Sequence, residues 1–355
     1  MIYKNAKVNG QLVDIQVTEG KIAGIGHYDG EGTDLAGAKV YPGLVDVHSH
    51  GCMGHDTMDG AGMDVMCQYM AQNGVTSWLA TTMTMDMETI KKITDVLPAC
   101  PDGTQVLGYH LEGPYINARY KGAQNGDYII PPSLEEFCQL QNILLVTVAP
   151  EVTGAMDFIE KCPAVVALGH TAADYGCASE AMERGAKCLT HTFNAMPGLH
   201  HRDPGPVGAA MDKKIYVQVI SDGIHIHPGV VRMLYKVFGA QRMVLISDSM
   251  RATGLSDGEY DLGGQLVYVK EGKARLADGT IAGSTSNLMQ CVRKAIEFGV
   301  TEEDAFKMAS QTPCEMLGLN KGKLAVGYDA DFVVVDDQLA VQKTIIGGKV
   351  VYEAE

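Results

Sequence analysis

The chain has 355 residues, 46% hydrophobic and 20% charged, which is the balance of a globular protein long enough for one large barrel or two to three average domains. Its formal charge of −15 repels polyanions, which excludes nucleic acid as an expected partner and leaves any anionic metabolite to a few local cations. No apolar run approaches the roughly 20 residues that span a bilayer, and the N-terminus has no basic-then-apolar leader, so neither a membrane partner nor export is expected.

Residues 1–41 alternate like short strands, with turns expected at Asn9-Gly10, Glu19-Gly20 and Asp29-Gly30. From Leu44 short apolar runs alternate with helical stretches such as 86–97, where Met87, Ile90, Ile93, Thr94 and Leu97 share a face. The runs are 44–48, 75–82, 105–111, 143–149, 165–169, 188–193, 215–220 and 242–247. Eight buried strands separated by helices predict an α/β fold, a (β/α)8 TIM barrel over residues 42–320. A β-hairpin insertion is expected at about 258–281, followed by a helical stretch from Asn287 to Leu317. Residues 321–355 return to strand and turn. Their pairing with 1–41 predicts a small discontinuous β-sandwich built from both termini.

In such a barrel the reactive groups sit where strands end. Seven of the eleven histidines fall at or just past a strand end: His48, His50, His110, His170, His191, His225 and His227. His48 and His50 lie two residues apart on one strand, so both imidazoles face the barrel mouth and can bite one ion. Alone an HxH pair is a weak signal; joined with His170 and His191 on later strands it predicts a metal site. Glu112, held between Leu111 and the Gly113-Pro114 turn, is a carboxylate able to bridge two cations. Asp248 closes the eighth run; beside a metal it can take a proton from water and return it to a leaving nitrogen, although an aspartate there could equally cap a helix. The loop 194–205 carries His200, His201 and Arg202 on an otherwise acidic chain, and arginine matches phosphate oxygens bidentately. Nine cysteines, odd in number, scattered and without a CxxC pair, suit reduced thiols and a cytoplasmic location.

The segments PGLVDVHSHG, HLEGPYIN, GHTAAD, THTFNAMPGLHHRDPG, SDGIHIHP, LISDSMRATG and IAGSTSNL together resemble the N-acetylglucosamine-6-phosphate deacetylases of the amidohydrolase superfamily, over essentially the whole chain. The resemblance implies a divalent metal, one or two ions per subunit (zinc foremost, with iron, cobalt or manganese as alternatives), a phosphosugar substrate and a homodimer. It implies Glu112, His170 and His191 as ligands of one ion, His48 and His50 as ligands of a second, and Asp248 as acid/base. It places substrate contacts at Ala123, Gln124, Asn194, Ala195, Arg202, His225, Ile281, Ala282 and Gly283, with Arg202 reaching the neighbouring subunit's site. Gln124 stands where some relatives carry a histidine, so polarisation of the substrate carbonyl would pass to a metal. The expected reaction is hydrolysis of the acetamide of N-acetylglucosamine 6-phosphate by a metal-activated water. Two rival readings fit the residues less well. Cyclic-amide hydrolases of the same fold use a carboxylated lysine on the fourth strand, and ILLVTVAPE has none; an inactive binding protein would be expected to have lost ligands, and this chain keeps them.

Overall fold

The computed structural model describes residues 1–355, and its centre is a parallel sheet of eight strands. These are β1 (Leu44–Ser49), β2 (Val75–Thr81), β3 (Gln105–Glu112), β4 (Ile143–Val148), β5 (Val165–Leu168), β6 (Cys188–Leu189), β7 (Tyr216–Val219) and β8 (Met243–Leu245). They pair side by side in chain order, as a (β/α)8 barrel requires. Each lies on one of the eight apolar runs, because a strand covered on both faces leaves no position for an alternating polar residue. β6 and β8 are shorter than their runs, and left-handed backbone follows them at His191 (φ 24°), Phe193 (φ 76°) and Asp248 (φ 48°).

No ladder joins β1 to β8; the seam is closed by single bonds. Asp248 N–H donates to the His48 carbonyl (2.8 Å), and Ser247 Oγ donates to Asp46 Oδ2 (2.5 Å). Val45, Val47, Leu79, Leu145, Ala167, Cys188, Val244 and Ile246 pack together inside the ring, closed below by Cys314 and Met316. The opposite strand faces join a larger cluster with the outer helices, for example Trp78, Val146 and Leu245 with Met70, Ile159, Leu234 and Val292. Helix Pro228–Phe238 shows why such segments are helical: proline opens it, Val231, Leu234 and Phe238 bury one face, and Gly239 ends it.

Three expectations change in detail. The insertion is three-stranded (Gly258–Leu262, Gln265–Lys270 and Lys273–Arg275), not a two-stranded hairpin, the third strand being too short to show alternation. The stretch from Asn287 to Leu317 is three helices, Leu288–Glu297, Glu302–Met308 and Gln311–Leu317; Gly299 at φ 104° and the Thr301 cap interrupt the first pair. The 86–97 helix spans only Met87–Thr94, since Pro98 disfavours helical backbone at Leu97.

Strands Ile2–Val8, Gln11–Thr18, Lys21–Gly26, Thr33–Asp34 and Lys39–Pro42 share one sheet with Phe332–Val335, Val341–Ile346 and Lys349–Glu353. The termini meet where Lys39–Pro42 runs antiparallel to Phe332–Val335. The sheet folds back on itself, with Ile22 N–H on the Tyr328 carbonyl (2.9 Å), around Tyr3, Ile15, Ile22, Phe332 and Ile345. No helix is long and apolar enough to cross a membrane.

Candidate active site

The β1/β2 ladder slips between Asp46 and Ser49. Val45 and Val47 therefore join the barrel interior while the following His48 also lies within it, its ring 4.5 Å from that of His110. His48 and His50 end β1, Glu112 ends β3, and His170, His191 and Asp248 follow β5, β6 and β8. The last three adopt φ of 47°, 24° and 48°, a region that crowds any side chain and costs on the order of 1–3 kcal/mol per residue. Hydrogen bonds hold them there: Asn117 N–H donates to the His170 carbonyl (2.9 Å), and Asp248 is fixed by the seam.

Glu112 is the point of convergence. Its Oε1 lies 3.0 Å from His191 Nε2, 3.2 Å from His48 Nε2 and 3.3 Å from His170 Nε2, and its Oε2 lies 3.2 Å from His50 Nε2. Asp248 Oδ1 sits 3.4 Å from His48 Nε2 and 3.3 Å from His50 Nε2. Two sets of three ligand atoms result, His48–His50–Glu112 and Glu112–His170–His191, each within 4.8 Å of one another and each fully buried.

Neighbouring carbonyls fix the imidazoles. Nδ1–H of His170 donates to the Tyr120 carbonyl (2.9 Å) and Nδ1–H of His48 to Gln218 Oε1 (3.0 Å), which turns each Nε2 lone pair toward Glu112. Gln124 Nε2 donates to Glu112 Oε2 (2.8 Å) while its Oε1 accepts from Thr84 N–H (2.7 Å).

These groups fit a cation. Burial opposes charge on Glu112, but the positive charge of His48 and the imidazoles of His170 and His191 beside it outweigh it and hold the carboxyl well below its usual range. Burial likewise opposes charge on His50, yet Asp248 and Glu112 raise that imidazole well above its usual value. Two buried carboxylates thus call for positive charge. His48 Nε2 and Glu112 Oε1 have no hydrogen-bond partner, and a buried polar atom of this kind is satisfied by coordination. Imidazole nitrogen and carboxylate oxygen are the donors that zinc and similar divalent ions accept.

A cavity of about 380 Å³ opens over these residues, lined by His50, Glu112, His170, His191 and Asp248. Of the expected substrate contacts, Ala123, Gln124, Asn194, Ala195, His225, Ile281 and Gly283 line it. Two do not. Ala282 is fully buried among Met83, Met250 and Leu262, and Arg202 is exposed outside the cavity of its own chain, its Nη1 2.7 Å from His201 Nε2. His110 and His227 share the rim in sequence but not the site: His110 bonds Thr147 Oγ1 (2.8 Å) in the barrel interior, and His227 caps the helix it precedes. Met83, Arg119, Tyr120, Leu262 and Thr280 also line the cavity and were not foreseen. Nor was Gln218, although a lone amide in the apolar run IYVQVI is the signal that could have found it.

The model of the amidohydrolase family matches residues 40–351. The chain belongs to the amidohydrolase family. It is 38% identical over 367 residues to the N-acetylglucosamine-6-phosphate deacetylase of Lysinibacillus sphaericus, covering 98% of this chain and 95% of that one. It is 37% identical over 353 residues to the N-acetylgalactosamine-6-phosphate deacetylase of Escherichia coli O157:H7, covering 94% and 93%. Its fold matches that of an aspartate-to-alanine mutant of the Mycobacterium smegmatis N-acetyl-D-glucosamine-6-phosphate deacetylase, solved in complex with N-acetyl-D-glucosamine-6-phosphate, with a TM-score of 0.91, 30% identity and 99% of each chain covered.

Because Gln124 is committed at both ends of its amide, Gln124→Ala strips a partner from a buried N–H and from Glu112. The variant should lose about 1–3 kcal/mol in denaturant unfolding of the metal-free protein. An unshifted midpoint would show that the amide is not needed there.

Proposed function

We propose that this amidohydrolase hydrolyses the acetamide of N-acetylglucosamine 6-phosphate, releasing acetate and glucosamine 6-phosphate. The observation that carries the reading is the placement of Asp248 beside two ligand sets that share Glu112, at the floor of a cavity of about 380 Å³. Its support from outside the chain is the near full-length likeness to deacetylases of acetylated hexosamine 6-phosphates. The galactosamine epimer is the second reading, favoured by the 37% identity to a deacetylase of that name.

Glu112, His170 and His191 would hold one divalent ion and His48, His50 and Glu112 a second, with zinc as the first choice. Such ions supply Lewis acidity, lowering the pKa of water and polarising a carbonyl. The rest is the work of side chains. Asp248, ionised because His48 and His50 outweigh its burial, accepts a proton from the attacking water and delivers it to the amide nitrogen as the C–N bond breaks. The water oxygen becomes the second oxygen of acetate. Gln124 orients Glu112 and leaves the carbonyl to the cations. Ala123, Asn194, Ala195, Ile281 and Gly283 shape the sugar subsite, and His225 faces it with Nδ1 bound to Asp222 (2.7 Å).

We also infer a cytoplasmic homodimer, supported by nine free cysteines and by the position of Arg202 outside its own cavity. The chain then divides into a terminal β-sandwich, 1–41 and 321–355, and the barrel of residues 42–320.

The deciding measurement is acetate release from both epimers of the acetylated hexosamine 6-phosphate, with and without chelator. We expect chelator-sensitive release, and a loss of at least ~10²-fold in Asp248→Asn without loss of metal. No release from either epimer would overturn the reading.

Metal content is a separate check. Protein made in metal-supplemented medium should approach about two equivalents per chain, and His48→Asn combined with His50→Asn about one. One equivalent at saturating metal with full activity would overturn the two-ion assignment.

Mixing inactive Arg202→Ala and Asp248→Asn proteins should restore some activity, because one site of the mixed dimer has both residues. Heterodimers without activity would place Arg202 outside its partner's site.

A further inference from the structure

We propose that Glu151 is a positioning residue for His170, the carboxylate that sets the ring of this proposed metal ligand by bracing both chain segments that hold it. The proposal rests on the reading of His170 as a ligand and adds a residue that touches neither the metal nor the substrate.

Glu151 stands just past the end of β4, at the rim where Glu112, His170 and His191 also stand. Unlike them it does not line the cavity, so it is not placed to take part in the chemistry. Both of its oxygens are spent on loops. Oε1 accepts from Asn117 Nδ2 (2.8 Å) and from Ala172 N–H (2.5 Å), and Oε2 accepts from the Thr171 hydroxyl (2.5 Å). Bonds to an ionised acceptor are roughly twice as strong as neutral ones, so this half-buried carboxylate is a firm tie between two segments far apart in sequence.

The first segment is the one-turn helix Ala118–Tyr120 with its cap, Asn117, whose Oδ1 accepts from Arg119 N–H (2.8 Å). A carboxylate only accepts, so Glu151 requires the nitrogen end of the Asn117 amide to face it and leaves the oxygen end for the turn. The turn so held meets His170 twice: Asn117 N–H donates to the His170 carbonyl (2.9 Å), and the Tyr120 carbonyl accepts from His170 Nδ1–H (2.9 Å). The second segment is the continuation of His170 itself. Thr171 and Ala172, the other two donors to Glu151, follow a residue at φ 47°, a conformation that persists only where its surroundings hold it. Thr171 N–H also donates to the Ala195 carbonyl (3.1 Å), which carries the same tie to the cavity wall. Glu151 thus joins the backbone that bears the imidazole to the carbonyl that selects its tautomer. With Nδ1–H committed to Tyr120, Nε2 keeps its lone pair toward Glu112, 3.3 Å away.

Two readouts test this, neither of them turnover. The first is the His170 tautomer, read by nitrogen NMR of isotope-labelled histidine in the metal-free protein at alkaline pH, where imidazole is neutral, with the signal assigned through His170→Gln. The second is zinc affinity, measured by chelator competition in the His48→Asn, His50→Asn background, where the one expected ion sits at Glu112, His170 and His191. Glu151→Ala should let His170 populate both tautomers and weaken zinc by about 10- to 100-fold. Glu151→Gln keeps one accepting oxygen and loses the charge; it should weaken zinc by about 3- to 10-fold, and it decides alone if Glu151→Ala does not fold. A merely structural role would lower the unfolding midpoint and leave the tautomer and the affinity of the folded protein as they were. An unchanged tautomer, an unchanged affinity in protein that binds zinc, or a wild-type ring not held as Nδ1–H overturns the proposal. Absence of zinc binding in every form would sink the metal reading alone, since the tautomer still decides the role of Glu151.

Discussion

Glu112 is a carboxylate 2% exposed, shut away from the water that would ordinarily satisfy its charge. Four imidazole Nε2 atoms within 3.0–3.3 Å replace that water, and no two of the histidines that carry them share a loop except His48 and His50. The arrangement demands that β1, β3, β5 and β6 end at the same height, which a barrel of in-order parallel strands provides. It also demands that each ring be turned correctly, which Gln218 and the Tyr120 carbonyl provide. Without added positive charge the cluster's two buried carboxylates are balanced only by His48 and His50, whose protonation they favour against burial. A divalent cation resolves that conflict, so the metal site and the cluster's stability are one problem.

The seam between β1 and β8 carries a second dependence. Because no ladder joins these strands, Asp46 and the His48 carbonyl take its place, one binding Ser247 and the other Asp248. His48 and the proposed acid/base are thereby spaced by a main-chain bond of 2.8 Å, so the distance between ligand and proton acceptor does not rest on side-chain packing. Asp46 has no contact with the cavity, yet it is buried and its pKa is pushed up to about 6 by that burial. A polar group is retained there at a cost, which makes sense where a seam must be specific rather than merely apolar.

Much of this was legible in the sequence, for identifiable reasons. The eight strands were readable because burial on both faces writes a continuous apolar run, and the His, Glu and Asp of the cluster because they interrupt such runs at their ends. What escaped detection depends on contacts that no local pattern encodes. His227 follows a strand as His225 does, yet its ring caps a helix; only the turn of the loop separates the two roles. The third strand of the insertion, Lys273–Arg275, is too short for period-two alternation. Arg119 sits in a loop rich in other polar residues, and its lack of an ion pair is a fact of three dimensions.

Gln124 shows how the two levels meet. From the sequence it is an amide where some relatives place a histidine, which shifts carbonyl polarisation toward a metal. In the fold the amide is spent in both directions, donating to Glu112 Oε2 and accepting from Thr84 N–H. It cannot turn toward a substrate without leaving a buried N–H unpaired, at a cost of about 1–3 kcal/mol. The residue that could have been an electrophile is therefore a strut for Glu112. On the proposed reading, polarising power would come from a cation held at Glu112, and His48 with His50 could supply nitrogen donors for it on that side of the carboxylate. On that reading an amide at position 124 and an HxH pair on β1 are complementary: the first offers the substrate no donor, and the second could hold a cation that takes its place.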